Sequence, residues 1–301
     1  MKYEQFCETC DVPLFFQPFW LNDLLENWDV LYAEHKGHFV FFIYQIEKKF
    51  HFKFLRSPHL CPYSGFLFSS SFLNHTTQQI LIQQVLEMMP EFDEINLDLH
   101  PRIPLDIDFG NIGSRLKMTN ILNLNNLETI EKNYKPALKR QIKKAQKTIH
   151  IQTLNDINLF YQLHEKTFLK QNSLPKIPIQ TFQKAWEVCV KNNCGQLFFA
   201  VDENRNIHAA HFLVYDNETA YYLAGGTDAA YYGSGAMSLL MHHAIVFSAE
   251  NKKQFFDFEG SMIPSVNRFF KNFSPDEIKY VNLFKENSAL LKFLKSWKSN
   301  A

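Results

Sequence analysis

From Gln196 to Ala224 three apolar runs of strand length follow one another, each bounded by turn residues, and a long apolar helix begins soon after, at Ala236. The runs are Gln196–Asp202 (QLFFAVD), His208–Tyr215 and Thr219–Ala224, separated by Glu203–Asn206 and by Asp216-Asn217. Gly225–Asp228 reads as a loop, and Gly233-Ser234-Gly235 stands directly before the helix, which extends to about Glu250. Gln254–Glu259 (QFFDFE) is a further strand, Pro264–Lys271 a short helix and Tyr280–Phe284 a final strand. A meander that crosses through a helix to another strand builds an α/β core with mixed pairing.

The first half runs in a similar order. Trp28–Ala33, Phe39–Ile46 and Phe50–Leu55 are aromatic strand runs, with a glycine-centred turn at His35–His38. Gln78–Met89 has helical spacing through Ile80, Val85 and Met88, Glu94–Leu99 alternates with period two, and Met118–Leu124 is a further strand. Three strands, a helix and a strand thus occur in both halves. This predicts a duplicated fold with a boundary near residues 125–135, giving domains 1–130 and 131–301. The boundary carries a basic helix over Leu127–Lys147, started or broken near Pro136. It sets Lys132, Lys135, Lys139, Arg140, Lys143, Lys144 and Lys147 against an apolar face of Leu138, Ile142, Ala145 and Ile149. Asp156 caps a helix running to about Gln171, and Thr181–Lys191 forms another.

Composition narrows the function classes. A chain of 301 residues suits two domains, and 46% hydrophobic with 21% charged residues describes a folded protein. Thirty phenylalanines predict aromatic cores. The 31 basic and 31 acidic residues cancel, so attraction to nucleic acid or an anionic membrane needs a local patch. MKYEQFCETCDVP has no apolar signal region, and the longest apolar runs, such as Phe39–Tyr44, are too short to span a bilayer. The expected location is cytoplasmic, without stable membrane insertion. Cys7 and Cys10 form a C-x-x-C with no second pair, so plain thiols and no metal are expected.

At finer scale the sequence resembles the GNAT-type acyltransferases, and within them the FemAB/FemX-like branch of tandem-domain proteins. The matching pieces are Phe16-Gln17-Pro18-Phe19-Trp20-Leu21, Pro62-Tyr63-Ser64-Gly65, Lys139-Arg140-Gln141-Ile142-Lys143-Lys144-Ala145, Phe256-Asp257-Phe258-Glu259-Gly260-Ser261 and Arg268-Phe269-Phe270-Lys271-Asn272-Phe273. The resemblance implies two tandem GNAT-like α/β domains with mixed central sheets, the second holding the active site and the first supporting it. It also implies transfer of an acyl or aminoacyl group to a small-molecule or peptide-like amine acceptor, with acyl-CoA as donor. Members that use aminoacyl-tRNA on cell-wall precursors commonly carry a long helical hairpin in the second domain. The short Gln171–Thr181 segment leaves no room for one, which argues against tRNA.

Particular residues follow. Gly233-Ser234-Gly235-Ala236 has the form of an anion-binding turn at a helix start, suited to the donor pyrophosphate, although Tyr231 and Tyr232 stand where the family often has Arg or Gln. The resemblance assigns the oxyanion donor to a backbone N–H of Leu223 or Ala224. Asp257 and Glu259, two apart on a strand, share a face, and like charges there raise one pKa toward that of a general base. The alternative is that either carboxylate pairs with Arg268 or Lys271 and only holds the loop. Lys271 is the expected stabiliser of developing charge, and Tyr63 and Arg268 are expected acceptor contacts. Two other classes remain open: a degenerate, non-catalytic domain pair that binds a ligand or partner, and a nucleic-acid binder using the basic helix.

Overall fold

The computed structural model describes residues 3–70, 73–169, 173–260 and 263–299. The chain forms two compact units, Met1–Met118 with Lys279–Ala301, and Thr119–Ile278.

The first unit opens with α1 (Tyr3–Thr9) and α2 (Pro18–Leu24), the latter started by a proline at its first position. β1 (Trp28–His35) and β2 (His38–Lys49) pair antiparallel down to His35↔His38. Lys36 and Gly37 both have positive φ, the requirement of the tight hairpin turn that the glycine announces. β3 (Phe52–Arg56) begins later than the apolar run indicates, because Phe50 has φ +56 and belongs to the turn. β4 (Gly65–Phe68), which the sequence reading did not anticipate, follows the Pro62–Gly65 turn and pairs with β2. A Cβ at Gly65 would lie 2.6 Å from Leu99 Cδ2, and φ there is +93, so only glycine fits. α3 (His75–Met88) is capped by Asn74, whose Oδ1 accepts the Thr77 N–H at 2.9 Å. β5 (Glu94–Asp98) then pairs parallel with β3. Phe42, Leu55, Phe66, Leu81, Val85 and Leu97 fill the core on these strands and α3.

β6 (Gly113–Asn123) carries the chain into the second unit. The basic stretch is two helices rather than one, α4 (Leu127–Asn133) and α5 (Pro136–Ala145). Lys135 is extended at ψ 142 because the ring of Pro136 excludes the helical region for its predecessor. Leu138, Ile142 and Ala145 form the buried face as expected, whereas Ile149 opens a strand, β7 (Ile149–Thr153). α6 (Ile157–Leu169) is capped by Asp156, which accepts the Leu159 N–H at 2.9 Å, and α7 (Ile179–Asn192) follows. Then come β8 (Gly195–Asp202), β9 (Ile207–Tyr215), β10 (Thr219–Thr227), α8 (Ala236–Glu250), β11 (Phe255–Asp257) and α9 (Pro264–Phe270). β12 (Asp276–Glu286) and α10 (Ala289–Ser299) return the chain to the first unit, where β12 pairs with β5.

In the second unit the strands lie in the order β6-β11-β10-β9-β8-β7. β10 and β11 are parallel and the other neighbours antiparallel, the mixed pairing expected from a helical crossover. α8 is apolar on nearly every face, and its Leu240, Met241, Ala244 and Ile245 are buried in one cluster with Phe198, Leu213, Ala220 and Phe256. No helix among the described residues is long and apolar enough to cross a membrane.

Phe256 is 0% exposed and its strand is paired on both sides, to Leu122 and Ala220. Phe256→Ala is expected to cost about 3–5 kcal/mol, read as a lowered urea midpoint. A loss under about 1 kcal/mol would contradict this packing.

Candidate active site in the second unit

The site starts from a mismatch of strand lengths. β10 and β11 are paired only through Thr219↔Phe255, Ala220↔Phe256 and Tyr221↔Asp257. β11 then ends, while β10 runs on to Thr227. The Gly225–Asp228 loop of the sequence reading is therefore mostly strand: Gly225, Gly226 and Thr227 remain paired with His211, Ala210 and Ala209 of β9. The register with β9 shifts between Tyr222 and Ala224, leaving Leu223 as a bulge.

α6 packs on this unmatched half of β10. His164 Nδ1 lies 2.9 Å from the Gly225 carbonyl, and Thr167 Oγ1 accepts the Thr227 N–H at 2.9 Å. The helix comes so close that a Cβ on Gly226 would lie 2.3 Å from the His164 nitrogen and the Leu163 carbonyl carbon. A Cβ on Gly225 would lie 2.2 Å from Tyr222 Oη. Gly226 is thus required by the close approach of the α6 backbone, while Gly225 leaves room for the Tyr222 ring. Beside them opens a cavity of about 210 Å³. Its walls are Tyr222 and Gly225–Thr227 of β10, Thr167 of α6, Met237 of α8, and Ser265, Val266, Phe269 and Phe270 of α9.

The two carboxylates meet here in a geometry unlike the one expected. The strand ends at Asp257, and Glu259 lies beyond it with φ +54, so the pair does not alternate along a strand. Asp257 is buried and its Oδ1 accepts two bonds, from Thr119 Oγ1 at 2.6 Å and from the Glu259 N–H at 2.8 Å. That second bond fixes the turn. Glu259 Oε1 is buried with no hydrogen-bond partner among the described residues. Burial first, and the Asp257 charge second, raise the Glu259 pKa well above 4.5. Tyr222 is raised as well, by burial and then by the Glu259 charge, which connects Glu259 electrostatically to a cavity wall. His211 packs against the Tyr222 ring at 4.8 Å, and burial brings its pKa down to about 3, leaving it neutral.

The other expected residues separate. Lys271 binds Glu277 at 2.8 Å in a half-exposed pair, and Arg268 is exposed on α9. Neither forms an ion pair with Asp257 or Glu259 among the described residues, which removes the expectation that they neutralise them. Tyr63 belongs to the first unit, where it is 2% exposed and packs edge-to-face on His100 and Tyr280. Gly233-Ser234-Gly235 is not an open glycine loop. Residues Ala229–Ser234 form a 3-10 turn, and Gly235 (φ +80) links it to α8. Ser234 Oγ accepts the Ala236 N–H at 3.2 Å. A Cβ on Gly235 would stand 3.0 Å from the Gln141 carbonyl, so the turn rests against α5. Ser261 of the quoted motif lies outside the described residues. Thr119, His164, Thr167 and Tyr222 were missed, although His164 and Thr167 are spaced i, i+3 on one helix face.

Residues 132–269 match the family model of the acetyltransferase (GNAT) domain. No curated protein matches the sequence. Among solved structures the chain is similar to FemX, over 93% of this chain and 94% of that one, with TM-score 0.67 at 11% identity. It is also similar to the C-terminal domain of a protein described as a lysylphosphatidylglycerol synthetase from Agrobacterium fabrum (97% and 93% covered, TM-score 0.58, 12% identity). L-PGS from Bacillus licheniformis gives 97% and 93% coverage, TM-score 0.53 and 13% identity. At these identities the likeness is one of fold.

A carboxyl whose pKa is higher folded than unfolded binds more protons in the native state, so its contribution to stability falls as pH rises above 4.5. Glu259→Gln removes that penalty. Its stability relative to wild type is expected to increase as pH rises above 4.5 in urea titrations. A difference that does not vary with pH would contradict the raised pKa.

Proposed function

We propose that the protein is an N-acyltransferase, because residues 132–269 match the acetyltransferase (GNAT) domain model and the chain is similar in fold to FemX. It moves an acyl group from an activated donor, a CoA thioester, to an amine. The observation that carries this reading is the opening where β10 outruns β11, with a cavity there whose wall residue Tyr222 is coupled electrostatically to the raised-pKa carboxyl of Glu259.

In this reading the thioester carbonyl sits against β10, where the Leu223 bulge turns a backbone N–H of Leu223 or Ala224 toward the developing oxyanion. Glu259 takes the proton from the acceptor ammonium as general base, and its raised pKa favours holding that proton. The free amine attacks the carbonyl carbon, an amide bond forms, the C–S bond breaks and the thiolate leaves with a proton. Asp257 holds Glu259 in place through the Glu259 N–H. The donor's pyrophosphate is assigned to the turn at Gly233–Ala236, against which α5 packs with Lys139, Arg140, Lys143 and Lys144 exposed to solvent. The unit Thr119–Ile278 supplies this site, and a CoA donor sets the reaction in the cytoplasm.

One observation favours a second reading. The exposed basic face of α5, in a chain whose fold resembles that of FemX, suits an aminoacyl-tRNA donor and a cell-wall precursor as acceptor.

The test is turnover of acetyl-CoA with a panel of primary amines. Glu259→Gln is expected to lower kcat/KM by about 10²–10⁴ while acetyl-CoA binding persists. Asp257→Asn is expected to lower it as well, by misplacing Glu259. Full turnover in both variants would overturn the general-base assignment.

A further inference from the structure

The longest run of exposed apolar side chains lies far in sequence from the proposed active site, on α10 in the first unit. Leu291 on one face of this helix is buried against Phe52 and Phe54, and Lys295, one turn on, binds Glu94 and Glu286. These contacts fix which face meets the sheet. The opposite arc carries Leu290, Phe293, Leu294 and Trp297 at i, i+3, i+4 and i+7, with Phe293 65% and Trp297 66% exposed. Phe50 adds to it from the β2–β3 hairpin, whose Phe52 and Phe54 hold Leu291. Phe50 is 91% exposed at the turn, in a left-handed conformation that bulky side chains seldom adopt.

Charge identifies the occupant. Glu47, Glu91, Glu94 and Glu286 are engaged by Arg56, Lys53 and Lys295. Lys48 and Lys49 beside Phe50, and Lys292 on the flank of α10, are exposed and have no acidic partner within 4.0 Å among the described residues. The surface is therefore locally cationic although the chain's net charge is zero. Tryptophan, phenylalanine and leucine on one helix face, lysines at its margin and an aromatic side chain at a hairpin tip form the pattern of a peripheral element lying in a bilayer interface. We propose that α10 and the β2–β3 turn dock this protein on an anionic phospholipid surface. The apolar arc and Phe50 enter the headgroup region while Lys48, Lys49 and Lys292 meet the lipid phosphates. This inference stands independently of the acyl-transfer reading.

The test is co-sedimentation of the full chain with phosphatidylcholine vesicles, with and without about 30 mol% phosphatidylglycerol. Binding is expected only on the anionic vesicles, weakened by high salt. The double variant Phe293→Ser, Trp297→Ser is expected to weaken partitioning at least about tenfold, and Phe50→Ser by a smaller factor. Circular dichroism checks that these surface variants remain folded. A folded wild type that ignores anionic vesicles would overturn the proposal. So would a double variant that binds unchanged, or light scattering showing that the arc joins two copies and the double variant separates them.

Discussion

The arrangement of the second unit depends on β10 being longer than the parallel strand beside it. Three residue pairs tie β10 to β11, and the remainder of β10 is left without a β11 partner. Backbone groups cannot be buried unpaired without cost, so another element must serve them. α6 does so through His164 and Thr167, and it approaches closely enough only because Gly226 carries no side chain. The cavity is the space left over where strand, α6, α8 and α9 fail to close completely. Next to the lining residue Tyr222, β10 bulges at Leu223, and Tyr222 feels the charge of Glu259 in its left-handed turn.

The two carboxylates show how one environment divides like groups. Asp257 Oδ1 is supplied with donors by Thr119 and by the Glu259 backbone. Glu259 Oε1 has no such donor, and burial together with the Asp257 charge favours its protonated form. In the proposed reaction Asp257 is the fixed anchor and Glu259 the proton carrier. The same geometry explains why Lys271 is not needed to neutralise the pair and is instead engaged with Glu277 at the surface.

Much of the architecture was legible because it rests on local signals. Lys36-Gly37 marked its hairpin, Asp156 its helix cap, Pro136 its helix start, and the apolar runs of β8 and β9 their strands. What failed was long-range. Gly225-Gly226 read as a loop because glycine disfavours strands, and only the approach of α6 to Gly226 and of Tyr222 to Gly225 explains its place in one. β4 is too short to be seen beside the Pro62–Gly65 turn, and the pairing of β12 with β5 joins residues about 190 positions apart, beyond any periodicity. Asp257 and Glu259 were singled out by residue type. Their relation was misjudged because a φ of +54 at a glutamate has no marker in sequence.

The central claim is that the opening beside β10 receives the acyl donor. Calorimetric titration of acetyl-CoA into wild type and into Val266→Trp tests it most directly, since Val266 lines the cavity and the larger ring fills it. The account predicts saturable binding to wild type, reduced at least about tenfold in the folded variant. Equal affinity in both proteins, or no binding to folded wild type, would contradict it.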